Sequence, residues 1–366
     1  MKITIKREDL LAPLQQIIGA VERRQTLPIL GNVLFKSSGG DLTLSATDLE
    51  IEMVANVVAE SDGDVQTTIP ARKLLDICKA LPDSSVINFN IEETRVLLTS
   101  GRSRFTLSTL SAQDFPSLDE IQVQQAFAIP QKQLKDLFDK TSFAMAQQDV
   151  RYYLNGILME ISAGHIKLVA TDGHRLALSQ GAIDNGESDE RQIIIPRKAV
   201  LELSRLLDST GAEAKCELSQ NHFRVETDSL VFTSKLIDGK FPDYQRVIPV
   251  DGNKIMQVDR ETLKHSLSRI AILSNEKYRG IRLTLSTSNL SIQANNPDQE
   301  EAEEELPVEY DEADMEIGFN VTYLIDVLNV LGSEKVQIKL KDSNSSAIMS
   351  DSQDDSCLYV VMPMRL

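Results

Sequence analysis

Residues 170–178 read ATDGHRLAL, and this stretch carries the side chains best suited to chemistry. Asp172 and His174 are one residue apart, so a tight turn at Gly173 could bring them together as an acid–base pair. A hydrolase that uses Asp172 and His174 is therefore one hypothesis. The sequence offers it little support, because GxSxG, HExxH, Walker GxxxxGK[ST] and GxGxxG motifs are all absent. We expect no catalytic residue, no metal site and no cofactor.

The same turn occurs earlier in the chain, where residues 46–49 read ATDL after a similar alternating run. Asp48 holds the place of Asp172, 124 residues earlier, but no His accompanies it. Short acidic side chains commonly hold a turn by accepting hydrogen bonds from its backbone N–H groups. We therefore interpret Asp172 as the residue that holds its own turn, and His174 as part of the wall of a binding pocket.

Further segments recur in the same order at offsets near 122–126 residues. The recurring segments are LGNVL (30–34) with LNGIL (154–158) and RGIRL (279–283), IPARK (69–73) with IPRK (195–198), and RFTLS (104–108) with VFTSK (231–235). A period this long indicates tandem domains, because solenoid repeats are about 20–50 residues long. The sequence predicts three related domains, at 1–125, 126–253 and 254–366.

Each predicted domain has two helices and several strands. Apolar residues at helical spacing predict first helices near 8–18, 131–141 and 260–271. Second helices are predicted after the IPARK, IPRK and IGFN segments, and two of them present Arg72 and Lys198 on a net-basic stripe. The predicted fold class is α+β, with antiparallel sheets and helices on one face.

The charge of the chain is strongly negative and unevenly distributed. A net charge of −17 over 366 residues argues against simple electrostatic attraction to nucleic acid. Eleven acidic residues and no Lys or Arg lie between residues 298 and 316, which form either an acidic loop or an acidic edge strand. The basic segment 102–105 complements them, and open edges invite pairing with another chain. A DNA-free acidic scaffold is a second alternative.

The cysteines and the apolar runs bear on location. Cys78, Cys216 and Cys357 are far apart and form no CxxC pair, so we expect buried thiols in a reducing compartment. The N-terminus lacks the apolar core of a signal peptide, and no apolar run approaches the roughly 18 residues of a membrane span. We therefore expect a cytoplasmic protein without a membrane partner.

The chain resembles the bacterial DNA polymerase III beta subunit (beta sliding clamp) family over its full length. The matching segments are TLPILGN (26–32), TDLE (47–50), PARK (70–73), GRSRF (101–105), QDVRYYLNG (148–156), ATDGHRLA (170–177), FPDY (241–244), AILSNEK (271–277), NNP…QEEAEE (295–304), MEIGFNV (315–321) and YVVMPMRL (359–366). The resemblance implies three tandem DNA-clamp domains and a head-to-tail homodimeric ring, with helices inside and sheets outside. It implies no catalytic activity.

The resemblance also implies partners. Duplex DNA would pass through the ring and be bound without sequence specificity. The replicative polymerase catalytic subunit, the clamp loader and repair polymerases would bind through a short Gln/Leu/Phe clamp-binding peptide.

Three sets of residues follow from the resemblance and the helix stripes. The DNA-binding set is Arg24, Gln148, Arg151, Tyr152 and Tyr153 from the resemblance, with Arg72 and Lys198 from the stripes. The partner-peptide pocket set is Leu154, Thr171, Gly173, His174, Arg175, Leu176, Pro242, Arg246, Val247, Asn320, Tyr323, Ser346, Val360, Met362, Pro363 and Met364. The dimer-interface set is Lys73, Arg102, Arg104, Phe105, Leu107, Ile272, Leu273, Glu300, Glu301, Glu303 and Glu304.

Overall fold

The computed structural model describes residues 1–22, 27–38, 41–118, 121–185 and 190–365. The chain forms two compact units, Met1–Gln131 with Arg205–Leu236, and Lys132–Ser204 with Ile237–Leu366. In the ranges just given, no helix is both long and apolar enough to cross a membrane.

The described residues contain six α-helices and 25 β-strands. The helices are α1 (Arg7–Ile17), α2 (Ala71–Ala80), α3 (Gln131–Asp139), α4 (Arg197–Leu206), α5 (Arg260–Ile270) and α6 (Val321–Val330). They lie where the helical spacing of apolar residues predicts them, within two residues at most ends.

The strands recur in the same order as the sequence segments. In the first repeat they are β1 (Lys2–Lys6), β2 (Asn32–Ser38), β3 (Asp41–Thr47), β4 (Ile51–Val57), β5 (Glu60–Ser61), β6 (Val65–Pro70), β7 (Val86–Ile91), β8 (Arg95–Ser100) and β9 (Ser103–Ser108). In the second they are β10 (Gln125–Pro130), β11 (Gly156–Ser162), β12 (His165–Thr171), β13 (Arg175–Ala182), β14 (Arg191–Pro196), β15 (Glu213–Leu218), β16 (His222–Glu226) and β17 (Leu230–Lys235). In the third they are β18 (Lys254–Asp259), β19 (Gly280–Ser286), β20 (Asn289–Asn295), β21 (Glu301–Pro307), β22 (Met315–Asn320), β23 (Lys335–Leu340), β24 (Ala347–Asp351) and β25 (Cys357–Val361).

Each repeat divides its strands between two antiparallel half-sheets, and half-sheets of neighbouring repeats join edge to edge. One eight-stranded sheet runs β10-β15-β16-β17-β4-β3-β2-β6, and the other runs β14-β11-β12-β13-β25-β24-β23-β18. The two remaining sheets are smaller, β5-β1-β7-β8-β9 and β21-β20-β19-β22. The α+β class with antiparallel sheets is therefore confirmed.

We call the β4·β17 and β13·β25 contacts the internal junctions. Each joins the last strand of one repeat to the strand that follows the ATD turn of another. Because backbone pairing continues across each junction, the compact units do not follow the period of the sequence. The domain boundaries at 125/126 and 253/254 fall at the first residue of β10 and directly before β18, and they remain a prediction.

The cores follow from the alternation of apolar residues. In the first repeat, Leu10, Leu14 and Ile17 of α1 are buried, and α1 packs on β3 and β4. Phe35 of β2 and Phe89 of β7 are fully buried with ring centroids 5.6 Å apart, so the two half-sheets share one apolar core.

The turn after β3 shows how the repeats are held. Asp48 Oδ1 accepts hydrogen bonds from the N–H groups of Glu50 (2.9 Å) and Ile51 (2.8 Å). The Thr47 hydroxyl donates to Ile51 O at 2.8 Å. Leu49 takes the left-handed conformation at φ 78°, which costs a side chain about 1–2 kcal/mol. The aspartate thus stabilises a turn that its backbone alone would disfavour.

The third repeat keeps the principle with different residues. Asn296 lies 124 residues after Asp172, and its Oδ1 accepts from the N–H groups of Asp298 (3.1 Å) and Glu300 (3.0 Å). This turn is one residue longer, because β20 and β21 pair Asn295 with Glu301.

The three cysteines are free and buried, as predicted. Burial raises the pKa of the Cys78 thiol to about 12 and also raises that of Cys216. Neither thiol is set up to react, since the thiolate is the reactive form.

Replacing Asp48 with Ala should lower the free energy of unfolding by about 1–3 kcal/mol, because two backbone N–H groups lose their acceptor. Asp48→Asn is the matched control, since it keeps the accepting oxygen and should lose much less. Urea unfolding followed by circular dichroism measures both. Equal losses would mean that the charge, and not hydrogen bonding, holds the turn.

Candidate functional site

The turn at residues 171–175 repeats the geometry of the Asp48 turn. Asp172 Oδ1 accepts from the N–H groups of His174 (2.9 Å) and Arg175 (3.0 Å). The Thr171 hydroxyl donates to Arg175 O at 2.6 Å and accepts from the N–H of Gly173. The carboxylate therefore holds the backbone of the turn, as interpreted from the sequence. The Asp172 carboxylate accepts from the backbone N–H of His174, whereas an acid–base pair would need a hydrogen bond to the His174 ring.

Arg175 is the centre of the site. Its guanidinium donates to Asp172 Oδ2 (3.0 Å), Asp326 Oδ2 (2.5 Å) and Phe143 O (2.7 Å). Its Cζ also lies 4.5 Å from the ring centroid of Tyr323, within cation–π range. With a side chain only 12% exposed, Arg175 fastens the turn to helix α6 and to the segment at Phe143.

His174 contacts two further residues of the predicted pocket. Its ring stacks on Tyr323 with centroids 6.5 Å apart and planes 22° apart. Its carbonyl accepts the N–H of Met362 at 2.9 Å, which attaches the C-terminal segment to the turn. Burial, followed by the nearby Asp172 carboxylate, raises the pKa of Tyr323, so its hydroxyl stays neutral at physiological pH.

An apolar floor lies beside the turn. Leu154, Leu176 and Val360, all in the predicted pocket set, are buried in one cluster with Phe241 and Tyr244. The Tyr244 hydroxyl donates to Glu160 Oε2 at 2.6 Å, and burial together with this carboxylate raises its pKa.

The other pocket residues lie around this centre with differing exposure. Pro242, Arg246 and Val247 are exposed, and Arg246 pairs with Asp243 at 2.7 Å. Asn320 caps α6 by accepting the N–H of Thr322 at 2.9 Å. Ser346, Pro363 and Met364 are half-buried, and Met364 N–H donates to Gly318 O at 2.8 Å.

The residues predicted to bind DNA are partly exposed. Tyr152 is 56% exposed and packs edge-on against Tyr153, with ring centroids 5.7 Å apart. Gln148 has a positive φ of 56°, so the loop before them is tightly bent. Arg151 Nε and Nη2 donate to Asp149 at 3.0 and 2.8 Å, and this bond lowers the pKa of Asp149 to about 2.

Two residues of the predicted DNA-binding set lie on helices. Arg72 on α2 and Lys198 on α4 are exposed. Arg205, on the same stripe of α4, instead donates to the carbonyls of Gln15 and Gln16 at the end of α1. Arg24 lies outside the described residues.

The residues predicted for the dimer interface are divided between two open sheet edges and helical segments, since Lys73 lies on α2 and Ile272 and Leu273 lie in the helical turn after α5. The acidic segment includes the edge strand β21. The basic segment spans the turn before β9 and the first residues of β9, which is the edge strand of another sheet. Phe105 is half-buried, Leu107 is 8% exposed, and Ile272 is 75% exposed. Lys73, Arg102 and Arg104 are exposed, and Leu273 is half-buried.

The acidic side chains of β21 differ in their partners. Glu304 is bound within its own repeat by Arg269 and by the Ser266 hydroxyl (2.7 Å), so it is not a free anion awaiting another chain. Glu303 accepts from Gln293 at 2.7 Å, and Glu300 from Asn296 at 2.6 Å. Glu301 is exposed.

The described surface also contains a groove away from the His174 turn. A polar groove of about 880 Å³ lies on the solvent side of β11, β12 and β13 and is walled by Gln245 and Asp354–Ser356. Within the described ranges, no three His, Cys, Asp or Glu side chains are grouped to hold a metal ion.

Sequence reasoning missed three partners at the site. Asp326 is the only charged residue of α6, and a lone charge on an apolar helix was a signal that it has a buried partner. Asp149 and Phe143 gave no such signal, because Asp149 pairs with Arg151 within one loop and Phe143 contributes only its backbone carbonyl, which accepts from Arg175.

Three family profiles match the chain in succession. They describe the DNA polymerase III beta subunit N-terminal domain (residues 1–119), central domain (128–243) and C-terminal domain (245–365).

Full-length relatives give the same result. The beta sliding clamp of Pseudomonas aeruginosa is 55% identical and that of Escherichia coli K12 is 50% identical, each covering 100% of both chains. A crystal structure of the P. aeruginosa DNA polymerase sliding clamp with a ligand superposes with a TM-score of 0.97 at 55% identity, covering 100% of both chains. The family predicted from the sequence is confirmed: the chain belongs to the bacterial DNA polymerase III beta subunits, the beta sliding clamps.

Proposed function

We propose that two copies of the chain close head to tail into a ring around duplex DNA and tether the replicative polymerase to it. In this proposal the chain acts by binding and has no catalytic role, because the Asp172 carboxylate is used to hold the turn that carries His174 and Arg175. A cytoplasmic location remains our expectation. The observation that carries the proposal is that β9 and β21, in the part of the chain that the structure describes, each lie at the end of a sheet with no strand on one side.

The two edges correspond to the two sides of the internal junctions, so together they would form a third junction of the same kind. Within the chain, β17 pairs with β4 and β25 pairs with β13. β9 is the equivalent of β17 and β25, and β21 is the equivalent of β4 and β13. Joining β9 of one copy to β21 of another would combine the five-stranded and the four-stranded sheets into one continuous nine-stranded sheet.

The internal junctions also predict the register. Phe232 pairs with Met53 at the first junction. The repeats align Phe232 with Phe105, and Met53 with Ala302 once the extra residue of the third turn is counted. Phe105 should therefore lie opposite Ala302 of the other copy.

This register matches faces and charges. It sets the half-buried Phe105 and Ala302 on the helix side, and the exposed Arg104 opposite the exposed Glu303 on the outer side. A slip by one residue would reverse every face. Exposed ion pairs contribute only about 0–1 kcal/mol, so the charges fix orientation more than they stabilise the contact.

In the proposed ring, basic and polar side chains on the inner surface would bind the DNA. Arg72 and Lys198 occupy equivalent exposed positions of α2 and α4, and Arg24, Gln148 and Arg151–Tyr153 complete the proposed set. Contacts of this kind attract phosphate without reading bases, which suits a ring that moves along the duplex.

The partner peptide would bind at the His174 turn. The apolar floor of Leu154, Leu176 and Val360 suits Leu and Phe side chains, and Met362 and Met364 add adaptable walls. Polymerase, clamp loader and repair polymerases would share this site through a Gln/Leu/Phe-type peptide.

Topology tests the ring. Protein loaded onto nicked circular DNA by a bacterial clamp loader should co-elute with the DNA in gel filtration and be released when the circle is cut once. Equal retention on linear DNA would contradict encirclement. No retention on either form would favour the DNA-free scaffold.

Paired cysteines test the register. Arg104→Cys with Glu303→Cys should give a disulfide-linked dimer on oxidation, because directly opposed Cβ atoms are about 4.5–5.5 Å apart. Arg104→Cys with Glu301→Cys is the matched control on the same face, shifted by two residues. The native thiols are buried and should not interfere. Stronger cross-linking of the control on a non-reducing gel would refute the register.

His174→Ala should weaken binding of a fluorescein-labelled Gln/Leu/Phe-type peptide roughly two- to tenfold, because it removes a ring from the proposed pocket wall, and one aromatic contact contributes about 0.5–1.5 kcal/mol. Glu50→Ala, at the equivalent position of the first repeat, is the matched control and should bind normally.

Removing residues 362–366 should abolish peptide binding and leave the dimer intact. Fluorescence anisotropy and native mass spectrometry measure both, and loss of the dimer would show that the pocket is misplaced.

A further inference from the structure

One arginine lies between the two proposed sites. Arg151, from the proposed DNA set, is held by Asp149 through its Nε and Nη2 atoms and through its backbone N–H. The same Nη2 donates to Asp172 O at 3.2 Å. A residue proposed to bind phosphate is thus bonded to the turn proposed to bind peptide.

The guanidinium also covers that turn. A Cβ placed on Gly173 would lie 3.0 Å from Arg151 Nη1 and 3.1 Å from Nη2, which is too close for an ordinary contact. Gly173 has φ +89°, yet Leu49 takes φ 78° at the same place in the first repeat. The left-handed conformation alone therefore does not require glycine here. A side chain here would require the Arg151 guanidinium to shift by a few tenths of an ångström.

We propose that Arg151 is shared by the two sites, with Asp149 as the positioning residue that holds it over Gly173. A DNA phosphate competes with the Asp149 carboxylate for the guanidinium, since both are anions suited to bidentate binding. Phosphate binding draws Arg151 off the turn and uncovers Gly173 for the peptide. The ring on DNA therefore binds clamp-motif peptides more tightly than the free ring does.

The size of this coupling is limited by the pair that must break. Arg151 is half-exposed, and exposed ion pairs contribute so little that the peptide affinity should rise only about two- to fivefold on DNA. Coupling between two binding sites is reciprocal, so saturating peptide should tighten duplex binding by the same factor.

The test is a titration of the full-length dimer with the labelled Gln/Leu/Phe-type peptide, with and without a saturating short linear duplex that can thread the ring. Wild type should show the two- to fivefold difference. Arg151→Ala should bind peptide equally in both conditions, at the level of the DNA-bound wild type. Asp149→Asn should raise the affinity of the free ring towards that level. Arg95→Ala, which breaks an exposed Arg–Glu pair outside both sites, is the control and should couple like wild type.

The inference rests on the proposed function, and the outcomes separate the two. A peptide affinity that changes neither on DNA nor in Asp149→Asn would overturn the coupling without contradicting the proposed pocket. Weaker peptide binding on DNA would also overturn it, because the sign would be reversed. Peptide binding that His174→Ala leaves unchanged would instead refute the pocket itself.

Discussion

The last strand of every repeat has one edge whose backbone N–H and C=O groups are not paired within that repeat. The rest of the structure depends on which strand pairs with that edge. Two of the three edges are paired inside the chain, at β17·β4 and β25·β13. These pairings join half-sheets of different repeats, so no repeat can be a separate compact unit. The third edge, on β9, is left at the end of a sheet with β21 as its counterpart. The proposed assembly would thus repeat between chains the strand pairing that is made twice within one chain.

The equivalent turns show how one repeat acquires a pocket and another does not. The residue after the turn is Glu52 in the first repeat and Leu176 in the second. Glu52 accepts the N–H of Leu118 at 3.0 Å, so the chain's own connecting segment covers that position, and burial raises the pKa of the glutamate. Leu176 instead joins an apolar cluster with Phe241. The same backbone position therefore anchors a linker in one repeat and forms an apolar floor in the other.

Apolar residues at helical spacing predicted the helices, and the repeated ATD segment predicted the structural role of Asp48 and Asp172, because these features depend on local spacing. The site was predicted less completely. Arg175 and Asp326 are 151 residues apart and meet only because β13 and α6 pack in the same unit. Strand alternation could have shown that Glu304 lies on the side of β21 opposite to Glu303, where it meets Arg269 of α5. Side-chain pairs across packed elements carry no periodic signal, so composition and spacing could not give them.

The charges of the two edges decide which pairings are excluded. Two copies of β21 paired with each other would set Glu301, Glu303 and Glu305 against like charges, which is destabilising directly across an antiparallel pair. Two copies of β9 would oppose Arg104 in the same way. Only the head-to-tail combination puts opposite charges together. Such heterologous contacts either close a ring or grow into a filament. Since the third junction would copy the two internal ones, its geometry is set by packing that the chain already contains, and this favours closure after a fixed number of repeats.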